Sequence, residues 1–449
     1  MPIEIIYLLI LLAVILTVFA GLKRPIYEAM LAGYIVLIAV SGQWANIFTY
    51  LIQTSTNTLF YAIVAFLAAA QIFSFTRVMD KAIAIILALF GRRRGGAGYA
   101  ALVASTFMGA LSGSGAGNVA ATGVFTIPAM KRSGFPAHLA ANVEMSASTL
   151  GNMIPPAGVI TASFGVLAAF APGYSMGRFW LAVWGIALWF ILQRLITLYI
   201  FCRVFKVKPM PAGEIPSLGP ALRAGWPSLM LAVIIFLPFL LDVSLKQNLF
   251  ARRLGSGADS LSASVLLFTP GLAAMYALWV ARKQSGMGLS AAARALSRHV
   301  AGIVPVSATI FFAYAISKLF ISLDVGASLR DFIISWGLSY RALALLVPLF
   351  CAILGMIMPG SSQVAIFGSA LVSVLVAAGG HPVLMAAILP AITGAMEGMT
   401  PPLALCMYTA MGIAQSPFKQ TAKTAILWIS LHYIMSVLVI LGILPILGL

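Results

Sequence analysis

The stretch "STLGNMIPPAG", residues 148–158, lies inside one of the most apolar parts of the chain. Its two consecutive prolines, Pro155 and Pro156, remove two backbone N–H donors and stop a regular helix. In hydrocarbon the freed peptide groups have no partner unless protein or a water-filled cavity supplies one. The reading of the whole chain turns on why an apolar helix should break there.

The chain has 449 residues, 62% hydrophobic and 8% charged, against about 25% charged residues in ordinary soluble domains. Runs such as IEIIYLLILLAVILTVFAGL (3–22) and LMLAVIIFLPFLLDV (229–243) recur from end to end. They predict an all-α polytopic membrane protein with roughly ten to thirteen membrane segments. The first run has no basic n-region and no small-residue cleavage site, so it reads as a retained span. A net charge of +17 would suggest nucleic acid in a soluble protein. Here the basic residues set topology, no nucleic-acid partner is expected, and "GRRRGG" (91–96) reads as a cytoplasmic loop. Cys202, Cys351 and Cys406 lie apart without metal or redox spacing, and the four histidines form no ligand motif.

Placing the loops by their Lys/Arg content gives a consistent trace. Lys23 and Arg24 put the first loop inside, so the N-terminus starts outside. Residues 1–96 form N-terminal scaffold helices. The stretch 97–129 is too short for two full spans, with GALSGSGAGN in its middle and Lys131–Arg132 beyond its end. It reads as a re-entrant hairpin entered from the cytoplasmic side. A broken helix over 137–170 crosses outward and 176–202 return, so 97–202 make a first transport repeat. A Pro- and Lys-containing cytoplasmic linker (203–225) leads to scaffold helices over 226–342. Within these, "SLDVGASLRDFIISW" (322–336) reads as an amphipathic surface helix. A second transport repeat over 343–449 has its hairpin at 343–378 and its broken helix at 382–414, and ends outside.

The two repeats overlay at a constant offset: Gly109 on Gly355, Gly134 on Gly380, Pro136 on Pro382, Ala140–Ala141 on Ala386–Ala387, and Pro155–Pro156 on Pro401–Pro402. The charge trace puts the first hairpin inside and the second outside. Inverted-topology repeats of this kind place substrate and ion sites at their interface, where broken helices expose carbonyls and half-helix N-termini.

The polar residues at these places are the candidate ligands. The first hairpin tip offers Ser112, Ser114, Gly115 and Asn118. The first break offers Ser148, Thr149, Gly151 and Asn152, and the second offers Thr393, Gly394, Glu397 and Thr400. Oxygen-rich sites without His or Cys suit a hard alkali cation, so Na⁺ is the expected coupling ion, with H⁺ as the other possibility. Glu397 is the expected protonatable or charge-balancing group. Glu144 is the other carboxylate inside a repeat, and it is placed so that it could pair with Lys131 or Arg132 near the cytoplasmic surface.

Four stretches carry a resemblance to the large (M, DctM-like) membrane subunit of the tripartite ATP-independent periplasmic (TRAP) transporters, within the ion transporter superfamily. They are "FMGALSGSGAGNVAATG" (107–123), "IPAMKRSGFPAHLAANVEMSASTLGNMIPP" (127–156), "ILGMIMPGSSQVAIF" (353–367) and "GMTPPLALCMYTAMGIA" (398–414). The resemblance implies an elevator-type carrier in a bacterial inner membrane. It also implies a separate small four-helix membrane subunit and a periplasmic substrate-binding protein that delivers an organic anion. It adds Gly360, Ser361 and Ser362 to the cation candidates. The substrate would meet Ser114, Gly115, Asn152, Pro155, Pro156, Ser361, Ser362, Pro401 and Pro402. Where family members often have an acidic residue this chain has Asn118, and the region after the second LGM reads Met358-Pro359-Gly360. A stand-alone anion carrier is the alternative. An enzyme is disfavoured because no Ser/His/Asp, His/Glu or Cys/His constellation has usable spacing. A channel would show turnover far above carrier rates.

Overall fold

The computed structural model of the chain describes residues 2–78, 80–112, 115–245, 249–255, 257–285, 289–356, 358–401 and 403–449. Among the described residues every regular element is a helix. The chain opens with α1 (Ile3–Ile15), α2 (Ile26–Val40), α3 (Ile47–Ser55), α4 (Thr58–Thr76) and α5 (Asp80–Phe90). The pair α6 (Gly96–Ser112) and α7 (Gly115–Arg132) pack on each other and are followed by α8 (Ala137–Ser148), a 3-10 turn over Thr149–Asn152, and α9 (Gly158–Leu167). Next come α10 (Met176–Val204), α11 (Leu218–Leu245), the single turn α12 (Ala251–Leu254), α13 (Gly257–Ser285), α14 (Leu289–Ser322) and α15 (Val325–Ser335). A second helix pair, α16 (Tyr340–Gly355) and α17 (Gly360–Ala377), precedes α18 (Pro382–Pro390) and a π-turn over Ala391–Ala395. The chain closes with α19 (Met396–Met399), α20 (Leu405–Ala414) and α21 (Phe418–Ile440).

Both expected helix breaks have visible local causes. Before Pro155 the chain tightens into the 3-10 turn, with Met153 N–H bonded to Leu150 O at 3.0 Å, and α9 restarts on the Ala157 carbonyl. In the second case Pro390 has no N–H to donate, and the backbone widens into the π-turn immediately after it. Thr400 then leaves the helical region, and Ala404 restarts α20 from a left-handed φ of 31°.

Among the described residues six helices are long and apolar enough to cross a membrane singly, or seven if the bent pair Trp44–Ser55 and Phe60–Phe73 counts as one span. Shorter apolar helices, α9, α16 and α20 among them, account for the larger number of segments expected from hydropathy. The outer surface is apolar. Along α10, Leu188, Leu192, Ile196 and Tyr199 are exposed at intervals of three or four, while Phe190, Arg194, Thr197 and Leu198 on the other face are buried. That is the pattern of a helix whose outer face meets lipid and whose polar groups turn inward.

The two repeats are interlocked. The half-helix beyond the first break, α9, packs on α17 and α18 of the second repeat. Its counterpart α20 packs on α7 and α8 of the first, and the 3-10 turn and the π-turn touch where the halves cross. Small residues allow this approach. A Cβ on Gly109 would overlap the Gly151 backbone, and a Cβ on Gly360 would overlap the backbone of Gly394.

The constant offset needs one correction. The left-handed turns before α8 and α18 fall at Gly134 and Gly379, and the two helices start at Ala137 and Pro382. Between the hairpin tip and the second break the matching residue is therefore one place earlier than the sequence overlay gives, so Gly134 does not fall on Gly380 nor Pro136 on Pro382. The π-turn holds the extra residue and restores the original register, as an inserted residue in a helix does. The linker is also shorter than 203–225, because α10 runs to Val204 and α11 begins at Leu218. It is held in place: Met210 N–H bonds to Gly91 O (3.1 Å), Lys208 N–H to Ser133 O (2.9 Å), and Arg132 pairs with Glu214 at 2.5 Å.

The glycine contacts generate a test. Gly109→Ala and Gly360→Ala are each expected to lower stability by about 1–3 kcal/mol, since the neighbouring atoms are backbone and cannot rotate away. Gly412→Ala lies on α20 with nothing within 4 Å, and should stabilise by about 0.5–1 kcal/mol. Thermal unfolding of the three variants in detergent compares them.

Candidate functional site

A cavity of about 480 Å³ lies where the two repeats meet the remaining helices. From the repeats it is lined by Gly115, Asn152, Ser361, Gly394 and Glu397, and from α4 and α14 by residues including Ile63, Gln71 and Thr309. Asn152 joins the halves. Its Oδ1 accepts from Gly115 N–H at 3.2 Å and its Nδ2 donates to the Gly394 carbonyl. In the second repeat Glu397 plays the corresponding part, its carboxylate accepting from Gly360 N–H. Gly115 and Gly360 are the first residues of α7 and α17, so each break supplies an acceptor to the N-terminus of its own hairpin's second helix, where the helix dipole favours one.

A second correspondence lies behind this pair. Asn118 and Gln363 are each the fourth residue of that second helix. Asn118 Nδ2 donates to Ser105 O at 2.6 Å and lies 3.4 Å from Ser148 O, and Gln363 Nε2 donates to Met358 O at 3.2 Å. Both amide oxygens are buried and have no partner among the described residues, and neither has the hydroxyl of Ser362. Unpartnered buried oxygens at these matching positions are of the neutral kind that can replace part of a hard cation's hydration shell.

The other expected residues divide. The Thr149 hydroxyl bonds Ser146 O at 2.8 Å and accepts from Arg194 at 3.2 Å, so it faces away from the cavity. Thr393 and Thr400 return their hydroxyl protons to Leu389 O and Met396 O of their own turns. Gly151 serves the close approach to Gly109. Pro155 and Pro156 are buried behind the cavity wall, Pro401 is half-buried, and Ser112 is the last residue of α6. Ser114 and Pro402 lie outside the described residues. Glu144 does not pair with Lys131 or Arg132. Lys131 donates to Ala414 O at 2.9 Å and Arg132 binds Glu214, while Glu144 sits wholly inside, among hydroxyls.

One group at the breaks was not anticipated. Arg194 of α10 is buried, and its guanidinium donates to Ser146 O (2.7 Å), Phe190 O (3.3 Å), Gln193 Oε1 (3.2 Å) and Thr149 Oγ1, and reaches His432 Nδ1 at 3.2 Å. The other ring nitrogen, Nε2, lies 2.9 Å from Ala391 O. A carbonyl only accepts, so Nε2 carries the proton and Nδ1 accepts from the arginine. A chain of hydrogen bonds thus runs from the end of α8 to the π-turn of the second break. The signal was available: an arginine in the middle of WLAVWGIALWFILQRLITLYIF (180–201) is an intramembrane charge.

Among solved structures, Neisseria gonorrhoeae MtrF, presented as one of a class of antimetabolite efflux pumps, matches with a TM-score of 0.63 at 13% identity, over 90% of this chain and 85% of that one. The Alcanivorax borkumensis YdaH transporter matches with a TM-score of 0.55 at 15% identity, over 89% and 88%. At such identities the likeness is one of fold alone. Residues 5–446 match the family of the tripartite ATP-independent periplasmic transporter, DctM component, and the chain belongs to that family. Curated relatives include the C4-dicarboxylate TRAP transporter large permease protein DctM of Pseudomonas aeruginosa, 26% identical over 87% of this chain and 85% of that protein. The protein of the same name from Vibrio cholerae is 24% identical over 84% and 82%. The 2,3-diketo-L-gulonate TRAP transporter large permease protein YiaN of Escherichia coli is 29% identical over 27% of this chain and 31% of its own length. The chain is thus a transport permease of a TRAP system and not an enzyme.

The arginine–histidine chain generates the test for this site. If Arg194 and His432 act as one unit, a double-mutant cycle of Arg194→Met and His432→Phe gives a coupling of about 0.5–3 kcal/mol in unfolding free energy. Simple additivity would show that the two side chains serve separate structures.

Proposed function

We propose that this chain is the moving subunit of a TRAP importer that carries a small organic anion inward together with Na⁺ by an elevator motion. The observation that carries the reading is Asn152, which ties the first hairpin to the second break and lines the cavity with Ser361 and Glu397. Residues 97–202 and 343–449 form the transport unit, as inverted repeats whose re-entrant hairpins open to opposite sides. Residues 1–96 and 226–342 form the scaffold. The cations are held by Asn118, the Ser148 carbonyl and neighbouring oxygens in one half, and by Gly360 to Ser362, Gln363 and the second break in the other. The anion lies in the cavity between Gly115, Asn152, Ser361 and Gly394, facing the N-termini of α7 and α17, whose dipoles favour negative charge. The relatives' names, C4-dicarboxylate and 2,3-diketo-L-gulonate, support an organic acid as cargo. The family supports a small four-helix membrane subunit and a periplasmic binding protein as partners, in a bacterial inner membrane. The charge trace supports both termini on the periplasmic side.

Reconstitution tests this reading. Liposomes holding this chain with the small subunit should take up substrate only when the binding protein and an inward Na⁺ gradient are both present. Uptake of free substrate by this chain alone would instead make it a stand-alone carrier. Pro155→Ala combined with Pro156→Ala should abolish uptake while membrane insertion is retained, and wild-type uptake by that variant would remove the role given to the break.

A further inference from the structure

We propose that the first turns of α10 hold a phospholipid, its phosphodiester in a cavity at Arg178 and one acyl chain in an aromatic groove against α11. The site lies apart from the cavity between the repeats and goes beyond the carrier reading, on which its binding does not depend.

Two cavities meet on α10. The first, about 420 Å³, is lined by Tyr174, Arg178 and Leu181, by His381 and Val383 at the start of α18, and by the last residues of the chain. The second, about 200 Å³, lies between Trp180, Leu181 and Trp184 of α10 and Phe236, Phe239 and Leu240 of α11. Leu181 belongs to both, so the polar cavity continues into the apolar groove along one helix. From Arg178 to Trp184 the helix rises about 9 Å. A headgroup layer is about 5–8 Å thick on each side of a bilayer, so this rise leads from headgroup depth into hydrocarbon. The charge trace places the start of α10, the turn before α18 and the chain end together on the outer side.

The polar cavity is walled by donors that nothing uses. Arg24, Arg77, Arg132 and Arg330 each pair with a carboxylate, whereas among the described residues Arg178 has no ion pair, with Leu449 or any other group. The Tyr174 hydroxyl and the His381 ring have no hydrogen-bond partner among the described residues either. The Arg178 N–H is accepted by Ser175 Oγ at 3.2 Å, which caps α10 and fixes where the guanidinium leaves the helix. A guanidinium beside a phenol and an imidazole is a donor set for a phosphate. The topology rule makes Arg178 conspicuous too, since basic residues collect on the inner side.

The groove suits a chain. Trp180 lies on Phe239 with ring centroids 3.7 Å apart, and Phe236 is 6.2 Å from Trp180 and 6.0 Å from Trp184. Trp180 and Phe239 are buried, Trp184 and Phe236 are half-buried, and Leu181 and Leu240 are exposed. The rings therefore hold one another, and the groove opens beside Leu181, which begins the lipid-facing stripe of Leu188, Leu192 and Ile196. A soluble anion would fill the polar cavity and leave the groove empty. A phospholipid occupies both. Its tail gains no hydrophobic free energy on leaving the bilayer, because lipid is as apolar as the groove. The Arg178 cavity thus decides which lipid stays, and the groove decides where its chain lies. Because α10 belongs to the first repeat and α11 does not, that chain lies in the seam between the repeats and the remaining helices.

Native mass spectrometry tests the site on the full-length chain with its small subunit, delipidated in detergent and titrated with palmitoyl-oleoyl phosphatidylglycerol. One saturable adduct is expected. Arg178→Ala should weaken it about tenfold and Arg178→Lys less, and Trp184→Ala roughly two- to threefold. Arg178 is exposed, so its replacement leaves the packing intact. Arg203→Ala, at the other end of α10, should bind as the wild type does. Dioleoylglycerol, which has the chains without the phosphate, should bind at least about tenfold more weakly. Unsaturable adducts that treat Arg178→Ala like the wild type are annular lipid and overturn the proposal. Dioleoylglycerol binding as tightly as the phospholipid overturns it as well. Displacement by equimolar inorganic phosphate overturns it in favour of a soluble-anion site, and wild-type affinity in Trp184→Ala removes the chain from the groove and overturns it too.

Discussion

Two interrupted helices touch at their interruptions, and the rest of the protein is arranged so that they can. The backbone of Gly151 lies against Gly109 and that of Gly394 against Gly360, distances at which a methyl group has no room. Because α9 passes into the second repeat and α20 into the first, neither half completes its packing alone. The breaks free backbone donors and acceptors that lipid cannot satisfy. Asn152 takes up two such groups at once, the Gly115 N–H at the start of α7 and the Gly394 carbonyl at the second break. A side chain with one donor end and one acceptor end is what that junction requires. A leucine there would strand a buried N–H and a buried carbonyl, at about 1–3 kcal/mol each.

The interior reverses the pattern of a soluble protein. Arg194, buried in α10, is bonded to carbonyls, an amide oxygen, a hydroxyl and an imidazole, all neutral. Glu144 is met by hydroxyls alone. A buried ion pair would recover Coulomb energy but would pay for desolvating two charges. Neutral partners leave each charge surrounded by dipoles, which tolerate a change in one group without stranding another.

Much of this was readable in the sequence. The doubled prolines and the glycine-rich tips locate both helix pairs and both breaks within a few residues, because Pro and Gly act locally. What depends on a single residue's direction was harder. The π-turn after Pro390 shifts the register by one, and a constant sequence offset averages over it. The helix α5 is eleven residues long, and its apolar run between Lys81 and Arg92 is too short to read as a span. Glu144 reads as interfacial because it lies about two turns beyond Pro136, yet its surroundings are partly visible, since Asn118, Thr122 and Thr126 recur every fourth residue on one face of α7. Arg194 and His432 stand 238 residues apart and meet only through the fold.

The placement of these polar groups bears on how a unit built from the repeats could slide. Asn152 bonds Gly115 and Gly394, and Glu397 bonds Gly360. Glu144 bonds α6, α7 and α8, and Arg194 bonds α8 and α21. Every one of these partners lies within 97–202 or 343–449. Against the remaining helices the repeats set apolar contacts, such as Gly158 of α9 beneath Ile63 of α4. A hydrogen bond across that surface would have to be broken and left dry in mid-passage, at about 1–3 kcal/mol each. Apolar side chains exchange one contact for another at little cost as they pass. In the elevator motion proposed above, a unit that keeps these polar partners to itself travels with its cargo while its apolar face exchanges contacts.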